Sequence, residues 1–295
     1  MHYLKESFLK NLREGEYAAV LASVLKDDTL DLELRGQSVV VYYRGGKLFS
    51  LKDGCDCVVF NPQYGLKSNL EVKVDEVAKN IPLFKYYVDL YLSKKKNYEK
   101  EFQQLVVRTN NYTTFSHISK GTDYYIADFE YVTREIGRYD LVGFRFKGSN
   151  KSYELCKLSL IEMKYGKDSL KGKQGIMGHL SDFKKLFDDK KKLAYLSKEM
   201  TKVLQQKYYL GLVPGLDAGS SDALVEKMKA PIEMEAIMAM GDFNKNSKQL
   251  RNELSLINPD NYPFEVYFAR SPFLGYGLYE QSFISLKDLK KEMEQ

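Results

Sequence analysis

The sequence predicts an α/β (α+β) fold, with a mixed central β-sheet flanked by helices and a small N-terminal layer of helices and a β-hairpin. Three observations carry this. Three successive segments, DYYIADFEYV (123–132), DLVGFRFK (140–147) and LCKLSLIEMKY (155–165), read as strands separated by the turn residues Gly137 and Gly148-Ser-Asn. Segments on either side of them carry apolar residues at helical spacing. A long apolar stretch, IEMEAIMAMG (232–241), then reads as a buried strand beyond those helices. The central order is helix, three strands, long helix, strand, which suits helices layered on a sheet.

Taken in order, residues 3–26 predict two short helices broken near Gly15, with Tyr17, Val20, Leu21 and Val24 on one stripe. Strands are expected at 30–35 and 38–43. The second opens the hairpin SVVVYYRGGKLFSLK, turning at Gly45-Gly46. Helices are expected at 83–93 and 97–109, the latter burying Phe102, Leu105, Val106 and Thr109. After the three strands, a helix from about 173 aligns Ile176, Leu180, Phe183 and Phe187, and a second follows at 191–208. GLVPGLDAGSSD (211–222) reads as the clearest connector. Residues 247–257 predict a helix and 264–270 a strand, and Ser285 is placed to cap a terminal helix. Residues 1–95 are expected to form an accessory region and 96–295 the main domain.

Composition narrows the function. The 295 residues include 45 Lys+Arg and 40 Asp+Glu, 44% are hydrophobic and 29% charged, a globular balance. Three cysteines, Cys55, Cys57 and Cys156, give no disulfide framework, which suits a reducing, cytoplasmic setting. The histidines at 2, 117 and 179 make no zinc-finger or haem pattern with them. No run approaches the roughly 20 apolar residues of a membrane span, so no membrane partner is expected. Residues 164–202 hold 11 Lys against 5 acidic residues, and Lys94, Lys95 and Lys96 form a second basic cluster. Basic clusters attract phosphate backbones, although Lys-rich helices are most often solvated faces.

The chemistry gathers at the end of the third central strand. Side chains two apart on a strand share a face, so Glu162 and Lys164 project together, beyond Leu158 and Leu160. If that strand and the one before form an antiparallel hairpin, Asp140 begins beside its end. Asp128 and Glu130 are a further same-face acidic pair. Two carboxylates beside a lysine suit metal-assisted phosphodiester hydrolysis: hard oxygens hold Mg²⁺, the ion activates water, and the ammonium balances charge on the phosphate. Read blandly, Glu162 and Lys164 are a surface ion pair worth little, Arg138 pairs with a nearby acid, and His179 contacts Asp182 one helical turn on.

Asp140…Glu162-Met163-Lys164, on a hairpin followed by a helix, resembles the PD-(D/E)XK nuclease superfamily, with its restriction-endonuclease-like core. VVYYRGGKLFSLK (40–52), EKEFQQLVVRTNN (99–111), YYIADFEYVTREIGRYDLVGF (124–144) and IEMKYG…GKQGIMGHLSDF (161–183) are similar to uncharacterised bacterial members. The likeness spans most of residues 30–190, and Tyr139 stands where the superfamily name has Pro. The resemblance implies that Asp140, Glu162 and the backbone carbonyl of Met163 bind Mg²⁺ or Mn²⁺ and that Lys164 serves the attacking water. It implies a further acid from the preceding helix, for which Glu101 is preferred over Glu99, with Glu130 as another candidate. It also implies a polar residue on the following helix, Gln174 or His179. Lys167, Lys171, Lys173 and Lys94–Lys96 are then expected to contact phosphates. The expectation is a metal-dependent nuclease for DNA, with a nuclease for RNA rather than DNA the weaker reading. The alternative is an inactive nuclease-fold module that binds nucleic acid or a protein.

Overall fold

The computed structural model describes residues 1–65, 70–111, 122–146, 154–213, 228–241, 243–270 and 277–294. His117, the Gly148-Ser-Asn turn and most of the 211–222 connector lie outside the described residues.

The chain is a mixed α/β protein with two sheets, one antiparallel and one mixed. Helices α1 (Glu6–Glu14) and α2 (Ala18–Leu25) come first. Strands β1 (Leu30–Leu34), β2 (Ser38–Tyr43), β3 (Gly46–Lys52), β4 (Cys57–Phe60) and β5 (Glu71–Lys73) form the antiparallel sheet in sequence order. Helices α3 (Val77–Lys94) and α4 (Tyr98–Asn111) lead into the mixed sheet. Its strands are β6 (Tyr124–Thr133), β7 (Gly137–Phe146), β8 (Leu155–Lys164), β9 (Met234–Met240), β10 (Glu265–Arg270) and β11 (Phe283–Ser285), in the order β11-β10-β9-β8-β7-β6. Pairing is antiparallel from β6 to β8, parallel from β8 through β9 to β10, and antiparallel at β11. Helices α5 (Ile176–Asp188) and α6 (Lys190–Tyr209) connect β8 to β9, and α7 (Lys248–Ser255) and α8 (Leu286–Glu294) complete the chain.

The expected helices and strands are present, with shifted ends. Helix α3 starts at Val77, earlier than its apolar stripe suggests. Gly137 opens β7 rather than separating it from β6, because φ of +135° there is open to glycine. Ser285 caps α8 as expected: its Oγ accepts from the Asp288 N–H at 3.1 Å. Strands β4, β5 and β11 had no sequence expectation; two of them are only three residues long.

Both faces of the mixed sheet are covered. Leu158 and Leu160 of β8 face the larger core with Leu180 and Phe183 of α5 and Leu196 and Met200 of α6. Ile161 and Met163 face the other way, with Val106 and Val107 of α4 and Val40 and Tyr42 of β2. From Leu158 to Lys164 every residue of β8 is buried, so its charged end lies inside the protein.

The two sheets are also joined by charge. Lys207 of α6 donates to Glu33 of β1 at 2.8 Å, with both side chains almost wholly buried. Arg35 donates to Asp128 of β6 at 2.7 Å and to the Phe129 carbonyl. At the hairpin turn, Gly45 donates its N–H to the Gln104 side chain of α4. A Cβ on Gly45 would lie 2.2 Å from the Lys100 carbonyl oxygen, so only glycine lets the turn sit this close to α4. Arg44 beside it binds Asp89 of α3 and Glu101 of α4.

Candidate active site

The site lies in a fork between two strands. The ladder of β7 and β8 runs from Phe146↔Leu155 to Leu141↔Ile161 and stops there. Beyond it β7 stays with β6 as far as Gly137, while β8 stays with β9 as far as Lys164. Side chains replace the missing rungs. The Met163 N–H donates to Asp140 Oδ2 at 3.0 Å, and the Asp140 N–H faces Glu162 Oε1 at 3.4 Å. A strand residue sends its N–H and C=O to the same edge, so the Met163 carbonyl also points into the fork.

Helix α5 closes one side. His179 Nδ1 lies 3.3 Å from Glu162 Oε1, and its Nε2 lies 2.9 Å from the Gln174 carbonyl. The Lys164 ammonium donates to that same carbonyl at 3.0 Å. Helix α4 closes the other side. Phe102 stacks on Tyr165 with ring centroids 4.9 Å apart, Tyr98 meets the same ring at 5.3 Å, and the Glu99 carboxylate accepts the Tyr165 backbone N–H.

These surroundings raise the carboxyl pKa values. Burial pushes Glu162 up to about 7, against the pull of Lys164. Burial, reinforced by Glu162 beside it, also takes Asp140 to about 7. Burial raises Glu99 too, with Lys164 opposing and Asp140 adding to the rise. His179 is lowered, by burial first and then by the Lys164 charge. The fork therefore holds three acids that gain from a nearby cation.

Asp140, Glu162, Met163 and Lys164 thus come together, and other expected residues fall elsewhere. Glu101 points away from the fork and is bound by Arg44, with Arg44 Nη2 3.0 Å from Oε2. Glu99 faces the fork instead, and the helical spacing carries the reason: Glu99 is three and seven residues from Phe102 and Val106, the packed stripe, whereas Glu101 is not. Glu130 lies opposite Asp140, between Phe129↔Leu141 and Tyr131↔Tyr139, but its backbone is left-handed at φ +56° and its carboxylate is bound by Lys100. Asp128 does not share Glu130's surroundings: it is wholly buried on Arg35, because the ladder shifts between Ile126 and Asp128. Gln174 contributes its backbone carbonyl. His179 contacts Glu162, whereas Asp182 pairs with Lys185 at 2.8 Å. Arg138 is exposed and shows no acidic partner among the described residues.

Lys167, Lys171 and Lys173 are exposed on the segment between β8 and α5. Lys94, which ends α3, and Lys95 and Lys96, between α3 and α4, are exposed, with Lys95 over Tyr91 at 5.6 Å and Lys96 over Tyr98 at 5.7 Å. Among the described residues no three His, Cys, Asp or Glu side chains group as a metal site. Two carboxylates and one carbonyl nevertheless form a hard-oxygen donor set of the kind Mg²⁺ takes while keeping several waters. No helix among the described residues is long and apolar enough to cross a membrane.

Comparison of the chain with protein-family models, curated proteins and solved structures gives no match.

Proposed function

We propose that the protein is a metal-dependent nuclease that hydrolyses phosphodiester bonds of DNA, built on a PD-(D/E)XK-type core. The observation that carries this reading is the β7–β8 fork, where Asp140, Glu162, the Met163 carbonyl and Lys164 meet where the ladder opens. The arrangement of the core supports it: an antiparallel β6-β7-β8 meander, a parallel β9, one helix before the sheet and another after the Glu-x-Lys strand.

In this reading Asp140, Glu162 and the Met163 carbonyl would hold Mg²⁺ or Mn²⁺. Such an ion, when bound, supplies an acidified water and stabilises charge on the phosphate. The remaining steps belong to the chain. Lys164, fixed on the Gln174 carbonyl, offers a cation to the attacking water and the phosphate oxygens. His179 orients the Glu162 carboxylate, as a supporting hydrogen bond does for a ligand. Glu99 adds negative charge on the α4 side. Lys167, Lys171, Lys173 and Lys94–Lys96 would meet the DNA backbone, so binding weakens as salt rises.

The test is incubation of the protein with supercoiled, linear duplex and single-stranded DNA in Mg²⁺, Mn²⁺ or chelator, beside Asp140→Ala and Glu162→Ala. Metal-dependent cutting that disappears in both variants is the expected result. Cutting retained by Asp140→Ala sinks the assignment. No cutting of any substrate, with no metal binding by calorimetry, favours the inactive module.

A further inference from the structure

A second feature adjoins the fork. A pocket of about 270 Å³ opens where the β6–β7 turn meets α5 and α6, and it is lined by Arg138, Tyr139, Asp182, Lys185, Leu186 and Lys192. Three of these side chains are cations and one is an anion. Its floor is fixed: the buried Tyr139 ring packs against Tyr131 at 6.1 Å and Phe183 at 5.7 Å, and its hydroxyl donates to the Ile136 carbonyl at 3.4 Å. Its rim is adjustable. Among the described residues Lys185 pairs only with Asp182 and Lys192 only with Asp189 at 3.7 Å, both exposed pairs three residues apart on the chain. Such pairs are weak and exchange readily for a better anion. Arg138 makes no salt bridge among the described residues and presents the planar fork that suits phosphate.

The pocket's distance from the fork can be read from two elements. Arg138 precedes Asp140 by two residues on β7, about 7 Å along a strand. Lys185 follows His179 by six residues on α5, about 9 Å along a helix. Both elements therefore lead from the acids to the cations over a similar distance. A B-form strand advances about 3.4 Å per nucleotide along the helix axis, so the interval matches the reach from one phosphate to another about two to three steps away along the duplex.

We infer that the Arg138–Lys185–Lys192 pocket seats a phosphate of the DNA strand whose scissile phosphate lies in the Asp140–Glu162 fork. This rests on the nuclease reading and adds to it a positioning site that fixes the strand's register. The phosphate is either internal to the strand or at its end, and the two sources share the same chemistry.

The test measures binding without cleavage. The full chain, in chelator, is titrated by fluorescence anisotropy against a labelled 20-base-pair duplex, with and without terminal 5′-phosphates, over a range of salt. Arg138→Gln is expected to weaken binding roughly tenfold at low salt and to lower the log–log salt slope by about one. Arg138→Lys should recover part of the loss, and the Lys185→Gln/Lys192→Gln pair should reproduce it independently. These residues are at the surface, so melting of the variants should match the wild type. Equal losses on both duplexes assign an internal phosphate, and a loss confined to the phosphorylated duplex assigns an end. Variants that bind like the wild type with an unchanged slope overturn the pocket and leave the nuclease reading standing. A wild-type chain that binds neither duplex removes both.

Discussion

Replacing Glu162 by Gln should abolish metal-dependent cleavage and at the same time stabilise the metal-free protein at pH 8. The Glu162 carboxyl sits at about 7 in the fold, against 4.5 unperturbed. Its folded pKa lies above its unfolded one, so the fold is favoured where the group is protonated. That advantage is full below pH 4.5 and is lost as pH rises through about 7. One pKa unit corresponds to about 1.4 kcal/mol, so ionising this nearly inaccessible side chain costs the fold up to about 3 kcal/mol at pH 8. Gln keeps an acceptor for the Asp140 N–H but brings an amide that needs its own partners, which cuts the expected gain to about 1–3 kcal/mol. For a chain of this size that is a rise in melting temperature of about 2–6 °C. The assay is thermal melting of wild type and Glu162→Gln in chelator from pH 4.5 to 8.5. The two curves should meet near pH 4.5 and separate progressively up to pH 8. Adding Mg²⁺ at pH 8 should raise the melting temperature of the wild type and leave the variant little changed. A variant that melts at or below the wild type at pH 8 refutes the reasoning.

Other expectations are as direct. Glu99→Gln should lower cleavage roughly 10–100-fold, the range for a supporting group beside a metal site, whereas Glu101→Gln should leave the rate nearly unchanged and lose only its Arg44 pair; initial rates on plasmid DNA separate them. Lys207→Met removes the cation that hydrogen-bonds Glu33, leaving Arg35 at 3.8 Å as its counter-charge, and should cost about 1–3 kcal/mol in urea unfolding at pH 8. Gly45→Ala forces a left-handed residue against the Lys100 carbonyl and should destabilise the protein by at least about 1 kcal/mol, visible as a lower urea midpoint. Phe183→Ala removes a fully buried ring beside Tyr139 and should cost about 3–5 kcal/mol by the same measurement.

Local patterns explain what was legible in the sequence. The Gly45-Gly46 hairpin, the three central strands and the α5 stripe of Ile176, Leu180 and Phe183 each announce themselves within a dozen residues. So does the pairing of Asp140 with Glu162, because hairpin register follows from strand length. Glu99 was within reach as well, since it shares the packed stripe of α4 with Phe102 and Val106; choosing Glu101 ignored that period. The position of His179 depends on the angle at which α5 meets β8, which no spacing encodes. The left-handed backbone at Glu130 and the shift beside Asp128 break the period-two rule that had put those two acids together. Glu33, Asp128 and Lys207 are buried although lone charges almost never are, because each meets a partner far off in the chain. Their partners lie 93 and 174 residues away in the chain.

Those long separations bear on how the molecule is made. A ribosome delivers Glu33 and Arg35 well before Asp128, and Asp128 before Lys207. Until α6 has emerged, Glu33 has Arg35, 3.8 Å away, as a counter-charge but lacks the lysine that hydrogen-bonds it. The early-made layer therefore gains its last buried charge contact only when the later one arrives. Chains released short of residue 207 would lack that contact and hold the N-terminal sheet less firmly, with more risk of aggregation.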